Sequence, residues 1–148
     1  MSVKSQENNM RRLSALLGKD LSYLHGDREN GPNGDKKTFL HVGTVFLRAL
    51  AGDLGLHNAK VMSNAAGIGT SGECCLTGMW ENGGIHVCIS QMTGTGSVLL
   101  YRSIRSAKDH KGGCNHFLSL DDFAAMRYTD LLTGLLALRK DDVHERAA

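Results

Sequence analysis

Hydrophobic residues in the first third of the chain recur at steps of three and four, which is the spacing of one face of an α-helix. Two amphipathic helices are therefore predicted, over residues 5–24 and 38–54. Their apolar stripes consist of Met10, Leu13, Leu17, Leu21 and Leu24 in the first and of Phe39, Phe46, Leu50 and Leu54 in the second. Thr38 is placed to cap the second helix. The segment 25–36 between them is rich in Gly, Asn and Asp and predicts a surface loop.

The centre of the chain changes to the pattern of β-strands. Strands are predicted over residues 68–80, 85–92 and 98–104, with 60–64 as a candidate leading strand. Asn82 and Gly83 favour a two-residue hairpin turn between the first two of these strands, because both turn positions need a positive φ. That turn places Thr77 opposite Cys88.

The register of the third strand is left open by the pattern. A four-residue loop before it places Leu100 beside Ile89, whereas a change of one residue places Leu99 there and turns Tyr101 inward. In either register the strand is apolar on both faces, as strands covered on both sides are.

A third helix is predicted after Ser119, which forms a capping pattern with Asp122 three residues further on. Its stripe consists of Leu120, Ala124, Leu131, Leu135 and Leu138. The fold class predicted is α+β: an antiparallel meander of three to four strands, with two N-terminal helices and one C-terminal helix packed on it.

The chain has 148 residues, which fits one domain with a core of its own. Within it we expect a first helix and loop over residues 1–36, the α+β core over 37–140 and a frayed tail over 141–148. There are 17 Lys and Arg against 15 Asp and Glu, a formal net charge of +2. This balance excludes an acidic mimic of DNA and disfavours a polybasic nucleic-acid binder.

The N-terminus is polar, and no stretch reaches the roughly 18 apolar residues that span a bilayer, so we expect a cytoplasmic protein without a membrane partner. The four cysteines are not spaced as a disulfide framework. Cys74 and Cys75 are adjacent, so in a strand their side chains point to opposite faces. We therefore expect reduced thiols.

The segment from Gly67 to Gly72 matches the dinucleotide-binding pattern G-x-G-x-x-G. That pattern binds phosphate only where a helix follows it, and here the next residues predict a strand. A bent glycine-rich strand is therefore expected, and no cofactor is predicted.

His86, Cys88 and Cys75 fall on the outer face of the predicted hairpin. A small Cys/His or metal-dependent enzyme is one alternative function, and its candidate residues are Glu73, His86, Cys88, His110 and Cys114. Because no orienting group or oxyanion device accompanies them, we assign no catalytic residue. His110, Cys114 and His116 are candidate metal ligands, but without a C-x2-C pair they predict no metal site.

The clearest local charge feature follows the third strand. Its candidate binding residues, for an anion or for a partner, are Arg102, Arg105, Lys108, His110, Lys111, Gly112, Gly113 and Asn115. Arginines supply bidentate donors, and glycines let backbone amides approach an anion. The nearby aromatic residues, Tyr101 and Phe117, are expected in the core rather than as stacking platforms.

Three segments between residues 39 and 123 carry a resemblance: Phe46-Leu47-Arg48-Ala49-Leu50-Ala51, Ser71-Gly72-Glu73 and Tyr101-Arg102-Ser103. Together they resemble small proteins carried by phages and plasmids. The resemblance implies an inhibitor of host defence, in the manner of anti-CRISPR proteins, and it transfers no site residue.

Our leading hypothesis is thus a non-catalytic inhibitor or adaptor that binds a host protein or ribonucleoprotein complex. The alternative is a nucleic-acid-binding protein that uses the basic, glycine-containing loop. The sheet edges leave homodimerisation open.

Overall fold

A computed structural model describes residues 2–19, 35–64, 72–91, 96–106, 108–110 and 113–147, with side chains up to residue 139. The described elements are α1 (Val3–Leu17), α2 (Asp35–Asp53), β1 (His57–Asn64), β2 (Glu73–Trp80), β3 (Gly83–Ser90), β4 (Ser97–Ile104), β5 (His116–Ser119), α3 (Leu120–Ala125) and α4 (Tyr128–Ala147). The strands form one antiparallel sheet in the order β1-β2-β3-β4-β5. The predicted α+β class is confirmed.

The helices cover one face of this sheet and bury its apolar side chains. Leu76, Val87 and Leu99 are fully buried there. The helices bury their own side chains against them: Met10 and Leu13 of α1, Phe46 and Leu50 of α2, and Leu135 of α4. α2 approaches β2 closely at Gly43, where an added Cβ would lie 2.6 Å from the Sγ atom of Cys74. The indole nitrogen of Trp80 donates to the Leu54 carbonyl oxygen over 2.7 Å and fixes the end of the hairpin to the end of α2.

The sheet has more strands than the three to four expected in the sequence. The candidate leading strand is present as β1, and β5 is an additional strand of four residues. The helix starts also differ, because α1 begins at Val3 and residues 35–37 are already helical in α2. Thr38 therefore lies inside α2 and does not cap it.

The predicted register of the first hairpin is wrong by two residues. The two turn residues are Glu81 and Asn82, so that Trp80 pairs with Gly83 and Thr77 pairs with His86. The reason lies in Gly84, where a Cβ would collide with the carbonyl oxygen of Gly78. Gly83 and Gly84 are therefore used within β3, where its backbone closely approaches that of β2, and not in the turn. A shift of two residues leaves every side chain on its predicted face.

The third predicted strand adopts the second of its two registers. Leu99 lies opposite Ile89, and Tyr101 points to the helical face, where it packs against the core.

The predicted C-terminal helix is present as two helices. The hydroxyl of Ser119 accepts a hydrogen bond from the Asp122 amide, as the capping pattern predicts. α3 then ends at Ala125, and α1 holds the break before α4: Arg11 donates to the Met126 carbonyl oxygen over 2.7 Å, and Glu7 accepts from the Tyr128 amide over 2.9 Å. A carboxylate at a helix N-terminus is stabilising. α4 runs to Ala147 and so includes residues of the tail expected to fray.

Some expectations fall on residues outside those described. They concern residues 20–24 of the first predicted helix, with Leu21 and Leu24 of its stripe, and residues 25–34 of the loop after it. They also concern residues 67–71 of the glycine-rich pattern and Lys111 and Gly112 of the basic segment. Among the described residues, the helices are too short or too polar to cross a bilayer.

Candidate functional site

The face of the sheet opposite the helices carries a row of apolar side chains that crosses all five strands. Successive members lie directly opposite one another in the register. The row consists of Met62, Cys75, Cys88, Leu100 and Phe117. Its two ends, Met62 and Phe117, are 69% and 53% exposed. We call this surface the open face.

A second row on the open face is polar and basic. It contains Lys60, Thr77, His86 and Arg102. The hydroxyl oxygen of Thr77 lies 2.9 Å from Nδ1 of His86. The ring of His110 lies against that of His86, with 4.9 Å between the ring centroids. Burial lowers the pKa of His86, and the charges of His110 and Arg102 lower it further, so this imidazole is neutral at pH 7.

Cys75 and Cys88 are joined in a disulfide at the centre of the open face, with 4.2 Å between their Cα atoms. The expectation of reduced thiols is therefore wrong for this pair, because the hairpin register places the two cysteines directly opposite each other. Nε2 of His86 lies 3.0 Å from the sulfur of Cys88. Cys74 and Cys114 are free, the first buried on the helical face and the second exposed.

A cavity of about 600 Å³ opens over these residues on the side of β1 and β2. Its lining residues are Lys60, Met62, Asn64, Glu73, Cys75, Thr77, His86, Cys88 and Lys108. Two lysines and one glutamate give the cavity a cationic excess. It is therefore suited to an anionic group that also has an apolar part.

In the basic segment, the groups expected to bind an anion bond to one another instead. Arg102 donates to the Gly113 carbonyl oxygen over 2.8 Å and to the side-chain oxygen of Asn115 over 3.1 Å. Gly113 is packed so tightly on β4 that a Cβ would collide with the Ser103 carbonyl oxygen. Arg102, Gly113 and Asn115 thus hold one another, and this loop is part of the scaffold.

Other residues of that segment stay at the surface, as predicted. Arg105 and Lys108 are exposed, on a tight turn closed by hydrogen bonds between the backbones of residues 105–106 and 109. Lys108 reaches the cavity, and His110 covers His86.

The three candidate metal ligands are not brought together. His110 lies on the open face, whereas His116 stacks on Tyr101 at the helical face, with ring centroids 4.9 Å apart. Cys114, which lies between these two histidines in the sequence, is exposed. Among the described residues, three other side chains do meet: the donor atoms of Cys75, His86 and Cys88 all lie within 4.8 Å of one another.

Two residues of the open face were missed by the sequence reasoning. Phe117 is exposed and not in the core, because the short strand β5 turns it away from the helices. Met62 lies on a strand that was only a candidate. The alternation within His116–Ser119 was the available signal, but four residues are too few to establish it.

Comparisons with known proteins add no relative: no protein-family model, curated protein or solved structure matches this chain.

Proposed function

We propose that this protein is a non-catalytic binding protein that docks a partner protein on the open face of its sheet. The supporting observation is the apolar row that crosses this face and ends in exposed Met62 and Phe117. Among the described residues, the exposed large hydrophobic side chains are these two and Val3. Exposed apolar side chains that share a surface mark interaction sites, whereas isolated ones need no explanation.

The dimensions of the row suit a protein interface. It spans five adjacent strands, and at about 4.8 Å per strand its ends are about 19 Å apart. A standard interface covers about 800 Å² on each partner, which corresponds to a patch about 28 Å wide. The row would therefore form the apolar centre of such a patch, with charged side chains around it.

Charge selects the partner surface. Lys60 and Lys108 flank the row at the cavity, and exposed Arg105 lies on the adjoining turn. The fitting partner is an acidic protein surface with an apolar centre. Nucleic acid is favoured less, because Arg102 is engaged with Gly113 and few cations remain for phosphate contacts.

The partner to test first is a host defence complex or a host complex that handles nucleic acid, on which this protein would act as an inhibitor or adaptor. This choice rests on the resemblance to phage and plasmid proteins, and the comparisons neither add to it nor oppose it.

The experiment is affinity capture from host lysates, each tested with and without nuclease treatment, with matched variants. Two variants alter the open face: Lys60→Glu/Lys108→Glu in charge and Met62→Ala/Phe117→Ala in apolar area. Two controls make the same kinds of change on α1: Lys4→Glu/Arg12→Glu and Val3→Ala, all at exposed positions.

We expect the wild type and both controls to recover the same stoichiometric partner and both open-face variants to lose it at least tenfold. Equal recovery by the open-face variants would contradict the proposal. Recovery that disappears after nuclease treatment would favour the nucleic-acid alternative instead.

A further inference from the structure

Three side chains at the centre of the open face bring together donor atoms that transition metals favour. Cys75 and Cys88 lie directly opposite each other on β2 and β3, and His86 lies two residues before Cys88 on the same face. The two sulfur atoms and a ring nitrogen of His86 are all within 4.8 Å of one another. Thiolate sulfur and imidazole nitrogen are the donors that protein-bound zinc prefers.

We propose that, in its reduced form, the protein binds one Zn²⁺ through the thiolates of Cys75 and Cys88 and the Nε2 atom of His86. A tetrahedral zinc ion with Zn–S distances near 2.3 Å and Zn–N distances near 2.0 Å needs its ligand atoms about 3.5–3.8 Å apart. This spacing is smaller than 4.8 Å, the distance within which all three donor atoms lie. Reduction breaks the S–S bond, which is what lets the two sulfur atoms move apart to this spacing.

Thr77 holds His86 in the orientation that metal binding requires. Its hydroxyl oxygen is 2.9 Å from Nδ1, and Nε2 of the same ring points to the sulfur of Cys88 at 3.0 Å. When Nδ1–H donates to Thr77, the lone pair is on Nε2, which is the ligand atom. Metal-bound histidines are commonly held by such a hydrogen bond on the other ring nitrogen.

Three protein ligands leave one tetrahedral position, and the cavity beside the cluster gives solvent access to it. A zinc site with three protein ligands takes water or another small ligand there. This inference does not depend on the proposed docking function.

Zinc binding and disulfide formation use the same sulfur atoms and therefore exclude each other. A low-molecular-weight thiol reduces the disulfide: two thiols give up two electrons and two protons, their own disulfide forms, and Cys75 and Cys88 become thiols. Zinc then displaces one proton from each. A low-molecular-weight disulfide reverses the reaction, accepts two electrons and releases the metal ion.

The test is zinc titration of the full chain after reduction and anaerobic removal of the reductant. We expect one equivalent of zinc to bind and Cys75→Ser, Cys88→Ser and His86→Ala each to weaken binding at least about 100-fold. Thr77→Val, which removes only the hydrogen bond, is expected to weaken it about tenfold. Co²⁺ in place of zinc is expected to give a thiolate charge-transfer band that is weaker in both serine variants, because each of them keeps only one thiolate.

The chain supplies matched controls for each ligand type. Cys114→Ser removes an exposed free cysteine and His116→Ala removes an exposed histidine on the helical face, so both are expected to bind zinc as the wild type does. The oxidised wild type is expected to bind none at the cluster. Circular dichroism establishes that each variant is folded, and Cys75, at the surface of the sheet, provides a second cysteine variant if Cys88→Ser does not fold. Binding of less than about half an equivalent by the reduced wild type at about 10 µM of protein and zinc, which corresponds to a Kd above about 5 µM, or unchanged binding by Cys75→Ser, would overturn the proposal.

Discussion

The guanidinium of Arg102 on β4 donates to the carbonyl oxygen of Gly113 over 2.8 Å and so ties the segment before β5 to the sheet. The same group donates to Asn115. Hydrogen bonds to charged groups contribute about 1.5–3 kcal/mol each to stability, net of the hydrogen bonds that the same groups make with water when unfolded. Arg102, one of the candidate binding residues, thus has a structural role in this segment.

We therefore expect Arg102→Ala to lower the free energy of unfolding by about 1–3 kcal/mol, measured by urea denaturation. Arg105→Ala is the matched control, because that side chain is exposed, and it is expected to change stability by no more than about 0.5 kcal/mol. Equal effects of the two substitutions would contradict the structural role of Arg102.

The close approach of the backbones at Gly84 gives a second test, of the hairpin register. Gly84→Ala places a methyl group against the Gly78 carbonyl oxygen. We expect this substitution to lower the free energy of unfolding by more than about 2 kcal/mol. Gly52→Ala, in α2 with open space around it, is expected to stabilise the protein by about 0.5–1 kcal/mol. If Gly84→Ala were neutral in the same denaturation assay, the two strands could not meet as described.

Two buried groups make stability depend on pH in the alkaline range. Burial, and donation of its hydroxyl proton to Asp53 at 2.5 Å, raise the pKa of Tyr128 above its ordinary value of 10.0. Burial raises the pKa of Cys74 from 9.0 to about 11. Above these ordinary values the unfolded chain has lost protons that the folded protein keeps, so the free energy of unfolding falls as pH rises.

We expect the full contribution below about pH 9, a decline from Cys74 between about pH 9 and 11, and a further decline from Tyr128 above about pH 10. Each group steepens the slope by at most about 1.4 kcal/mol per pH unit. Urea denaturation of the oxidised protein at successive pH values measures the slope. Tyr128→Phe removes the part that begins above pH 10, and an identical slope in this variant would refute the assignment.

Peptide mapping tests the pairing of Cys75 with Cys88. A protease specific for glutamate cleaves after Glu73 and Glu81 and so separates Cys75 from Cys88. Trypsin, added to the same digest, cleaves after Arg102 and Arg105 and so separates Cys88 from Cys114. Without reduction, we expect the fragment with Cys75 to stay linked to the fragment with Cys88, while Cys114 reacts with an alkylating reagent in the folded protein. A link between Cys75 and Cys114 would be the opposite result.

The faces of the sheet could be predicted from the sequence because side chains alternate with a period of two. This period placed Cys75, His86 and Cys88 on one surface even with the hairpin register shifted by two residues. The pairing itself could not be predicted, since the local preference of Asn82-Gly83 for a turn competes with a contact between Gly84 and Gly78 that only the folded sheet contains.

The basic segment is a second case in which a contact of the folded protein could not be predicted from the sequence. The charge of this segment could be seen in the sequence, but whether an arginine faces solvent or holds a loop depends on a tertiary contact. Arg102 makes such a contact, with Gly113, and Arg105 is exposed. Similarly, β5 is a strand because it pairs with β4. Its four residues are too few to show the alternation from which a strand is predicted.

The docking proposal is tested most directly by oxidative footprinting of the protein, free and bound to the captured partner. The exposed hydrophobic residues provide both probes and control: Met62 and Phe117 lie on the open face and Val3 lies on α1. We expect the partner to protect Met62 and Phe117 at least severalfold and to leave Val3 unchanged. Protection of Val3, with Met62 and Phe117 as reactive as in the free protein, would contradict binding at the open face.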